Sequence, residues 1–149
     1  MIRPKRENVQ RGFNGLPIFY INLDSRQDRR SEVEEELRKI GAGCVSRFIG
    51  RKHQIAILGC TLSHALLLEE SERQQGPIMI CEDDVEFLAT RTDIETVLGA
   101  FLRDPSLDVL CLAYNLGAQP HRLNPLLAIT HDTQTASCYV VKDWAKAPL

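Results

Sequence analysis

An apolar run at residues 77–81 ends in the consecutive carboxylates of Glu82, Asp83 and Asp84, and this pattern constrains the fold most. The run has the length of a buried strand. Two carboxylates roughly 6 Å apart repel by about 3 kcal/mol at an effective dielectric constant of about 20, so three together need solvation or a cation. Open α/β sheets bind ligands beyond the carboxyl ends of their strands. The pattern therefore predicts a divalent ion carrying a phosphorylated ligand, with a solvated acidic turn as the alternative.

Length and composition are those of an ordinary globular domain. The chain has 149 residues, of which 44% are hydrophobic and 26% are charged, enough for one domain with a sizeable core. Its net charge of −2 gives no reason to expect a nucleic-acid partner. No apolar segment approaches the ~20 residues that span a bilayer, and no apolar signal region follows the basic amino terminus, so we expect a cytoplasmic protein.

The five cysteines are odd in number and widely spaced, and they form no CxxC pair. Three of them lie inside apolar, strand-like runs. Buried thiols in a reducing compartment explain this pattern better than a disulfide framework or a zinc site. The cysteines are Cys44, Cys60, Cys81, Cys111 and Cys138.

Strand-like and helix-like segments alternate through the first 113 residues, which predicts an α/β fold with three layers and a mostly parallel sheet. The last two strands have no helix between them, so we expect a late antiparallel element. Residues 1–16 are polar and aperiodic and indicate a flexible leader before a single domain at 17–149. The predicted strands are 17–23, 44–49, 77–82, 108–113, 126–130 and 136–142, and the predicted helices are 27–40, 56–73 and 92–103.

The helix boundaries and faces follow from capping and periodicity. Asp24 and Ser25 offer N-cap chemistry for the first helix, and Gly41 ends it. Thr92 and Glu95 have capping-box spacing at the start of the third helix. The first helix has one apolar stripe, formed by Val33, Leu37 and Ile40. The second helix places Leu58, Leu62, Ala65, Leu66 and Glu69 along one side.

A cluster of arginines follows the first strand, at residues 26, 29 and 30. Three arginines near a helix start can neutralise a diphosphate, and the amides of the helix N-terminus add to that attraction. Asn22 and Asp24 at the strand's carboxyl end favour a ligand site. The alternative is that the arginines pair with Glu32, Glu34 and Glu35 across a solvated helix face.

Two further segments carry candidate side chains. Gly59 at a helix start permits close approach of a backbone or ligand, and Ser63 and His64 follow it. His64 lies off the predicted apolar stripe and faces either a cleft or solvent. Thr135, Ser137 and Tyr139 alternate on a late strand, where their hydroxyls face either a sugar or solvent.

Taken in order, four segments resemble glycosyltransferase family 25, the lipopolysaccharide-type and collagen-type galactosyltransferases. The likeness covers residues 17–146, and any one segment is weak by itself. The matching segments are Tyr20 to Asp24 followed by Asp28-Arg29-Arg30, Gly59 to His64, Cys81 to Val85, and the run from Thr135 through Tyr139.

The resemblance implies a GT-A fold that binds a UDP-sugar donor, such as UDP-galactose, with Mn²⁺ or Mg²⁺. It further implies a glycan, lipid-linked or protein acceptor, as in lipopolysaccharide biosynthesis. Carried over by position, Asp84 is the expected metal ligand and Glu82 its companion toward the ribose or a metal-bound water. Asn22, Asp24 and Arg29 would border the nucleotide. Ser63 and His64 would lie beside the donor pocket. His64 and Asp83 are candidates for catalysis, and the catalytic base stays unassigned.

Two departures from the family favour a second possibility. The stretch from Cys44 to Leu58 is shorter than in family members, and the chain stops at Leu149 where members continue. A truncated domain that binds a nucleotide sugar or a partner without turnover is therefore the alternative. A response-regulator receiver also has such an acidic strand, but Ala113 occupies the position where its phosphoacceptor aspartate would fall.

Overall fold

In the computed structural model, which describes residues 13–146, a five-stranded sheet lies between helices on both of its faces. A two-stranded hairpin is separate from the sheet. The strands are β1 (Pro17–Asn22), β2 (Cys44–Ile49), β3 (Ile78–Glu82), β4 (Val109–Ala113), β5 (His121–Arg122), β6 (Ala128–Ile129) and β7 (Cys138–Val141), and the helices are α1 (Gln27–Lys39), α2 (Ala56–Ser71) and α3 (Arg91–Arg103).

The strand order is β2-β1-β3-β7-β4. Strand β1 pairs in parallel with both β2 and β3, while β7 is antiparallel to its neighbours β3 and β4. The predicted mixed α/β class, with a mostly parallel sheet and a late antiparallel strand, is therefore confirmed. In the small β5–β6 hairpin, β6 lies within the predicted strand 126–130, whereas β5 lies before it, where no strand was predicted.

Alternation along the strands divides the core into two layers. Ile18 and Tyr20 of β1 face the side of the sheet covered by the apolar stripes of α1 and α3. Ile78 and Ile80 of β3 face the opposite side, where they pack with Leu67 of α2. Successive side chains of a strand point to opposite faces, so each strand contributes to both cores. The predicted three layers are confirmed.

Helix α1 has the predicted stripe but not the predicted cap. Val33, Leu37 and Ile40 are all buried, and Gly41 adopts φ +67° immediately after the C-cap. The amides of Gly41 and Ala42 donate to Arg38 and Leu37, a Schellman arrangement. At the other end the N-cap is Arg26 and has no side-chain cap, so the expectation of a cap from Asp24 or Ser25 was wrong.

The capping box of α3 lies two residues earlier than expected. The Thr90 side chain accepts from the Asp93 amide, and the Asp93 carboxylate accepts from the Thr90 amide. Thr92 and Glu95 had the same spacing and a similar composition, but they lie inside the helix. Spacing alone does not distinguish two overlapping boxes.

Helix α2 buries a different face from the one expected. The buried residues are Gly59, Ser63, Leu67 and Ser71, whereas Leu58 and Leu62 are 47% and 46% exposed. Gly59 explains the rotation, because a Cβ there would lie 2.7 Å from the carbonyl oxygen of Arg51. Because Gly59 has no side chain, α2 packs directly against the backbone of residues 51–53 at this position.

The packed region begins before β1. Phe13 is fully buried and Leu16 nearly so, and both belong to the core between the sheet and the α1/α3 layer. The rest of the expected leader, residues 1–12, lies outside the described part of the chain. Within residues 13–146, no helix combines the length and apolarity that crossing a membrane requires.

Gly59→Ala is expected to lower the free energy of unfolding by about 1–2 kcal/mol. Overpacking against the Arg51 carbonyl costs about 1–3 kcal/mol, and the better helix propensity of alanine returns at most about 1 kcal/mol. Urea denaturation measures the difference.

Gly99→Ala in α3 is the matched control. Its new Cβ would meet only the flexible end of the Arg103 side chain, at 3.3 Å, so helix propensity should leave stability unchanged or raised. Equal effects of the two substitutions would show that the close approach at Gly59 is not what orients α2.

Candidate functional site

The acidic segment lies where β1 and β3 run side by side, and its first two carboxylates point in different directions. Glu82 continues the face of β3 that carries Ile78 and Ile80, toward α2. Asp83 contacts Asn22, which shares a face of β1 with Ile18 and Tyr20. The repulsion expected from crowded carboxylates is therefore relieved by divergence and by separate partners.

Asn22 connects the two strand ends. It is 1% exposed, and its Nδ2 donates to Oδ2 of Asp83 at 2.7 Å and to the backbone oxygen of Arg26 at 2.9 Å. Its Oδ1 accepts from Nε of Arg47 at 3.0 Å. A buried amide without partners would be costly, so this network fixes the turn after β1 relative to the acidic segment.

Arg47 belongs to this network although the sequence did not single it out. Its guanidinium reaches Oδ1 of Asp24 at 3.2 Å, and only 16% of its side chain is exposed. It is the one charged residue in the strand Cys44–Ile49, and β2 runs parallel beside β1 with Arg47 opposite Tyr20. The one charged residue in a short strand beside β1 was the signal that could have revealed it.

The three arginines after β1 pair with acids of their own segment. The N–O distances are 2.7 Å for Arg26–Asp28, 3.8 Å for Arg29–Glu32 and 3.0 Å for Arg30–Glu34. This is the ion-pairing alternative from the sequence, except that Glu35 pairs with Arg38. Exposed pairs of this kind contribute little stability, so they are exchangeable for another anion.

A second cluster lies on the α2 side of β3. Oε1 of Glu82 is 3.1 Å from Nε2 of His64 and 3.1 Å from Sγ of Cys60. Residues 60 and 64 are one helical turn apart, so both side chains reach the same strand end. His64 faces this cluster rather than solvent, and 12% of its side chain is exposed.

Strand β7 completes the surroundings of His64. The Tyr139 hydroxyl lies 3.0 Å from Nδ1 of His64, and the two rings stack with centroids 5.7 Å apart. Ser137 donates its hydroxyl to the other oxygen of Glu82 at 3.4 Å. Because a carboxylate only accepts, Nε2 of a neutral His64 donates to Glu82 and Nδ1 accepts from Tyr139. Ser137 and Tyr139 thus face protein groups.

These contacts shift three pKa values. The hydrogen bond from His64 lowers the pKa of Glu82, with help from Cys60 and Ser137 and against the opposing effect of burial. Partial burial of the sulfur, followed by the hydrogen bond to Glu82, raises the pKa of Cys60 to about 11, although the residue as a whole is exposed. Burial also raises the pKa of Tyr139. At neutral pH the cluster therefore contains a carboxylate, a thiol and a phenol.

Ser63 has a structural role in this arrangement. Its hydroxyl accepts from the Arg51 amide and donates to the Gly59 carbonyl, both at 2.7 Å, and the residue is 2% exposed. Both hydrogen-bonding functions serve the backbone around the close approach of α2. The sequence placed Ser63 beside a donor pocket, but its hydroxyl is directed to these backbone groups.

Asp84 differs from its two neighbours because it is exposed. The residues that follow Asp84 anchor its loop. Val85 is buried, and the amide of Phe87 donates to Oε2 of Glu36 at 3.0 Å. The carboxylate of Asp84 is close enough to Cys60 to contribute to the raised pKa of that thiol. It is thus an exposed acid on an anchored segment.

Two open clefts border the site, one on each face of the sheet. A cleft of about 290 Å³ is lined by Thr135, Ala136 and Tyr139 together with Val109 and Cys111. A second, of about 410 Å³, lies between α1 and β2. It is lined by Tyr20, Arg30, Glu34, Leu37, Arg38, Ala42, Val45 and Arg47.

The five cysteines differ more than expected. Cys81 and Cys138 are buried neighbours with their sulfurs 3.4 Å apart, and Cys111 is half-buried. Cys44 and Cys60 are exposed, so the expectation that the thiols are buried was wrong for these two. No disulfide joins any of the five, all of which lie in the described part of the chain.

Comparison with known proteins does not assign the chain to a family. No family model matches the sequence, and no curated protein matches it. The function must therefore be inferred from the site itself.

Asn22→Asp is expected to destabilise the protein by about 2–3 kcal/mol. It replaces a donor with a carboxylate that faces Asp83 at hydrogen-bond distance, and removal of a partner from a buried polar network carries a cost of this size. Adding Asp83→Asn restores a donor–acceptor pair, so the double variant should be more stable than Asn22→Asp alone. Urea denaturation of the unchanged protein, Asn22→Asp, Asp83→Asn and the double variant completes a double-mutant cycle. Additive effects of the two substitutions on the free energy of unfolding would contradict direct contact between positions 22 and 83.

Proposed function

We propose that the protein is a metal-dependent glycosyltransferase of the GT-A type, similar to glycosyltransferase family 25. It would move a sugar, with galactose as the first candidate, from a UDP-sugar to an acceptor hydroxyl. One observation carries the proposal: three separate sequence segments meet at the carboxyl ends of β1 and β3. Asn22 contacts Asp83 at 2.7 Å and His64 contacts Glu82 at 3.1 Å, although 61 and 18 residues separate these pairs.

The architecture supports the same class. Strands β2, β1 and β3 are parallel and end at the same edge of the sheet, where open α/β sheets bind their ligands. The antiparallel β7 brings Ser137 and Tyr139 to that edge beside the acidic segment. The GT-A fold that the resemblance implies is likewise of the α/β class.

Glu82 and Asp84 are the residues that would hold Mn²⁺ or Mg²⁺. Such ions are commonly bound by one or two carboxylates together with the phosphates of the substrate, and carboxylate oxygens suit them. The exposed position of Asp84 on an anchored loop fits a ligand shared with a diphosphate. The ion would stabilise the negative charge that develops on the departing nucleoside diphosphate.

The nucleotide would lie along the turn after β1. Asn22 and Asp24 line that turn, and Arg47 adds a positive charge that is already oriented by both. Arg29 is held only loosely by Glu32, at 3.8 Å, so it is the arginine of the cluster most readily transferred to a phosphate. Arginine is suited to this task because its guanidinium matches phosphate oxygens.

A donor-binding domain without turnover is the second candidate, and the contacts of the possible bases favour it. Both ring nitrogens of His64 are engaged, with Glu82 and Tyr139, and Asp83 accepts from buried Asn22. Either group would have to exchange a present partner before it could deprotonate an acceptor hydroxyl. In this alternative the site binds UDP and metal but transfers no sugar.

Calorimetry with UDP, with and without Mn²⁺, tests the proposal. The intact chain should bind UDP more tightly with the metal. Asp84→Asn should reduce that gain by about tenfold or more, because loss of a direct ligand should cost at least as much as the 10- to 100-fold typical of an outer-shell partner. Glu86→Gln, which neutralises another exposed acid two residues away, should retain the gain.

Release of UDP from several UDP-sugars then separates the two candidates. Turnover supports the transferase, whereas UDP binding without release of UDP supports the binding domain. Absence of UDP binding by the intact chain in the presence of Mn²⁺ would contradict both.

A further inference from the structure

The cluster of Cys60, His64 and Glu82 has a composition that the proposed transfer reaction does not require. The sulfur, an imidazole nitrogen and a carboxylate oxygen all lie within 4.8 Å of one another. They come from a helix and the end of a neighbouring strand. Mn²⁺ and Mg²⁺ prefer oxygen ligands, so a thiol and an imidazole beside the carboxylate need a separate explanation.

We propose that Cys60, His64 and Glu82 form a Zn²⁺ site with one coordination position open to solvent. Zinc is bound in proteins by Cys sulfur, His nitrogen and carboxylate oxygen, usually in a tetrahedron. Three protein ligands and one open position are typical of zinc that exchanges or acts on a ligand, whereas structural zinc has four protein ligands. Cys60 is exposed, so the ion has access from solvent.

Two of the three distances between the ligand atoms are close to those of a tetrahedral zinc site, and the third, from the sulfur to the nitrogen, is at most 4.8 Å. Zinc–ligand bonds of about 2.0–2.3 Å place the ligand atoms of a tetrahedron roughly 3.3–3.8 Å apart. The sulfur and the nitrogen are each 3.1 Å from Oε1 of Glu82, so each must separate from it by a few tenths of an ångström. The close contact of Gly59 with the backbone at 51–53 holds the helix that carries residues 60 and 64. Both side chains therefore keep their direction toward Glu82.

The surrounding groups have the arrangement of an outer coordination shell. A histidine that binds zinc usually donates its second ring N–H to a neighbouring group, which fixes the ring. With Nε2 on the metal, Nδ1–H of His64 would donate to the Tyr139 oxygen 3.0 Å away, because a hydroxyl can accept as well as donate. Ser137 retains the second oxygen of Glu82.

Binding replaces the hydrogen bonds that Cys60 and His64 donate to Glu82, and it releases one proton in total. The histidine proton leaves Nε2 and is restored on Nδ1 by exchange with solvent, so that Nε2 is free to bind the ion. The Cys60 thiol now donates to Glu82, and zinc would take the place of that proton between the sulfur and the carboxylate. The proton passes to solvent, and the sulfur binds as thiolate. No oxidant or other reactant is needed.

The test uses Co²⁺ and Zn²⁺ with the full chain, without nucleotide and with excess Mg²⁺. Cobalt should give the near-ultraviolet charge-transfer band of thiolate coordination, and zinc should abolish that band. Cys60→Ser should remove the band and weaken zinc binding by at least about 100-fold, beyond the loss typical of an outer-shell partner. Competition with a chromophoric chelator measures the affinity.

Two further variants make the result specific. Cys44→Ser, which removes the other exposed thiol, should leave the band and the zinc affinity unchanged. Tyr139→Phe keeps all three ligands but removes the partner of Nδ1, and it should weaken zinc binding roughly 10- to 100-fold. Circular dichroism checks that each variant is folded.

Retention of the band in Cys60→Ser, or its loss in Cys44→Ser, would overturn the assignment, as would absence of the band in the intact chain. Because nucleotide is absent, these outcomes are independent of the UDP and Mn²⁺ experiment. Failure of the zinc site and failure of the transferase proposal are therefore distinguishable.

Discussion

The hydrogen bond between Asn22 and Asp83 is the interaction on which the arrangement of the site depends. It joins the turns that follow two neighbouring parallel strands, and both donors and the oxygen of the buried amide have partners. In a region shielded from water, a polar network of this kind is stable only when it is complete. It therefore sets the direction in which the chain leaves β1 and β3, and with it the positions of α1 and the acidic loop.

Strand periodicity explains why three consecutive carboxylates are tolerated. Glu82 follows Ile78 and Ile80 onto the α2 face, where it meets His64, whereas Asp83 turns to Asn22. The carboxylates are thus separated by geometry, and two of them have hydrogen-bond donors. Repulsion at this strand end does not by itself require a cation. Support for a metal rests instead on the exposed acid, Asp84, and on the neighbouring nitrogen and sulfur.

The sequence predicted strands and layers better than helix faces. The strands were recognisable because short apolar runs are bounded by glycine, proline or charge, and β2 agreed at both ends. Helix α2 was misjudged because its apolar residues lie on all sides, so the close contact at Gly59 decides which face is buried. Arg47 was missed since its partners, Asn22 and Asp24, are more than twenty residues away. Such long-range contacts leave no periodic signal.

The two metal proposals make opposite demands on Glu82. A hard ion shared with a diphosphate needs a Glu82 oxygen directed toward exposed Asp84 and solvent. The zinc site needs Oε1 where it now lies, between the sulfur of Cys60 and the imidazole of His64. Turning Oε1 toward Asp84 would break two contacts of 3.1 Å, so the two proposed ions would compete for this oxygen. Oε2, whose contact is the Ser137 hydroxyl at 3.4 Å, is the oxygen through which Glu82 would meet Mn²⁺ while zinc is bound.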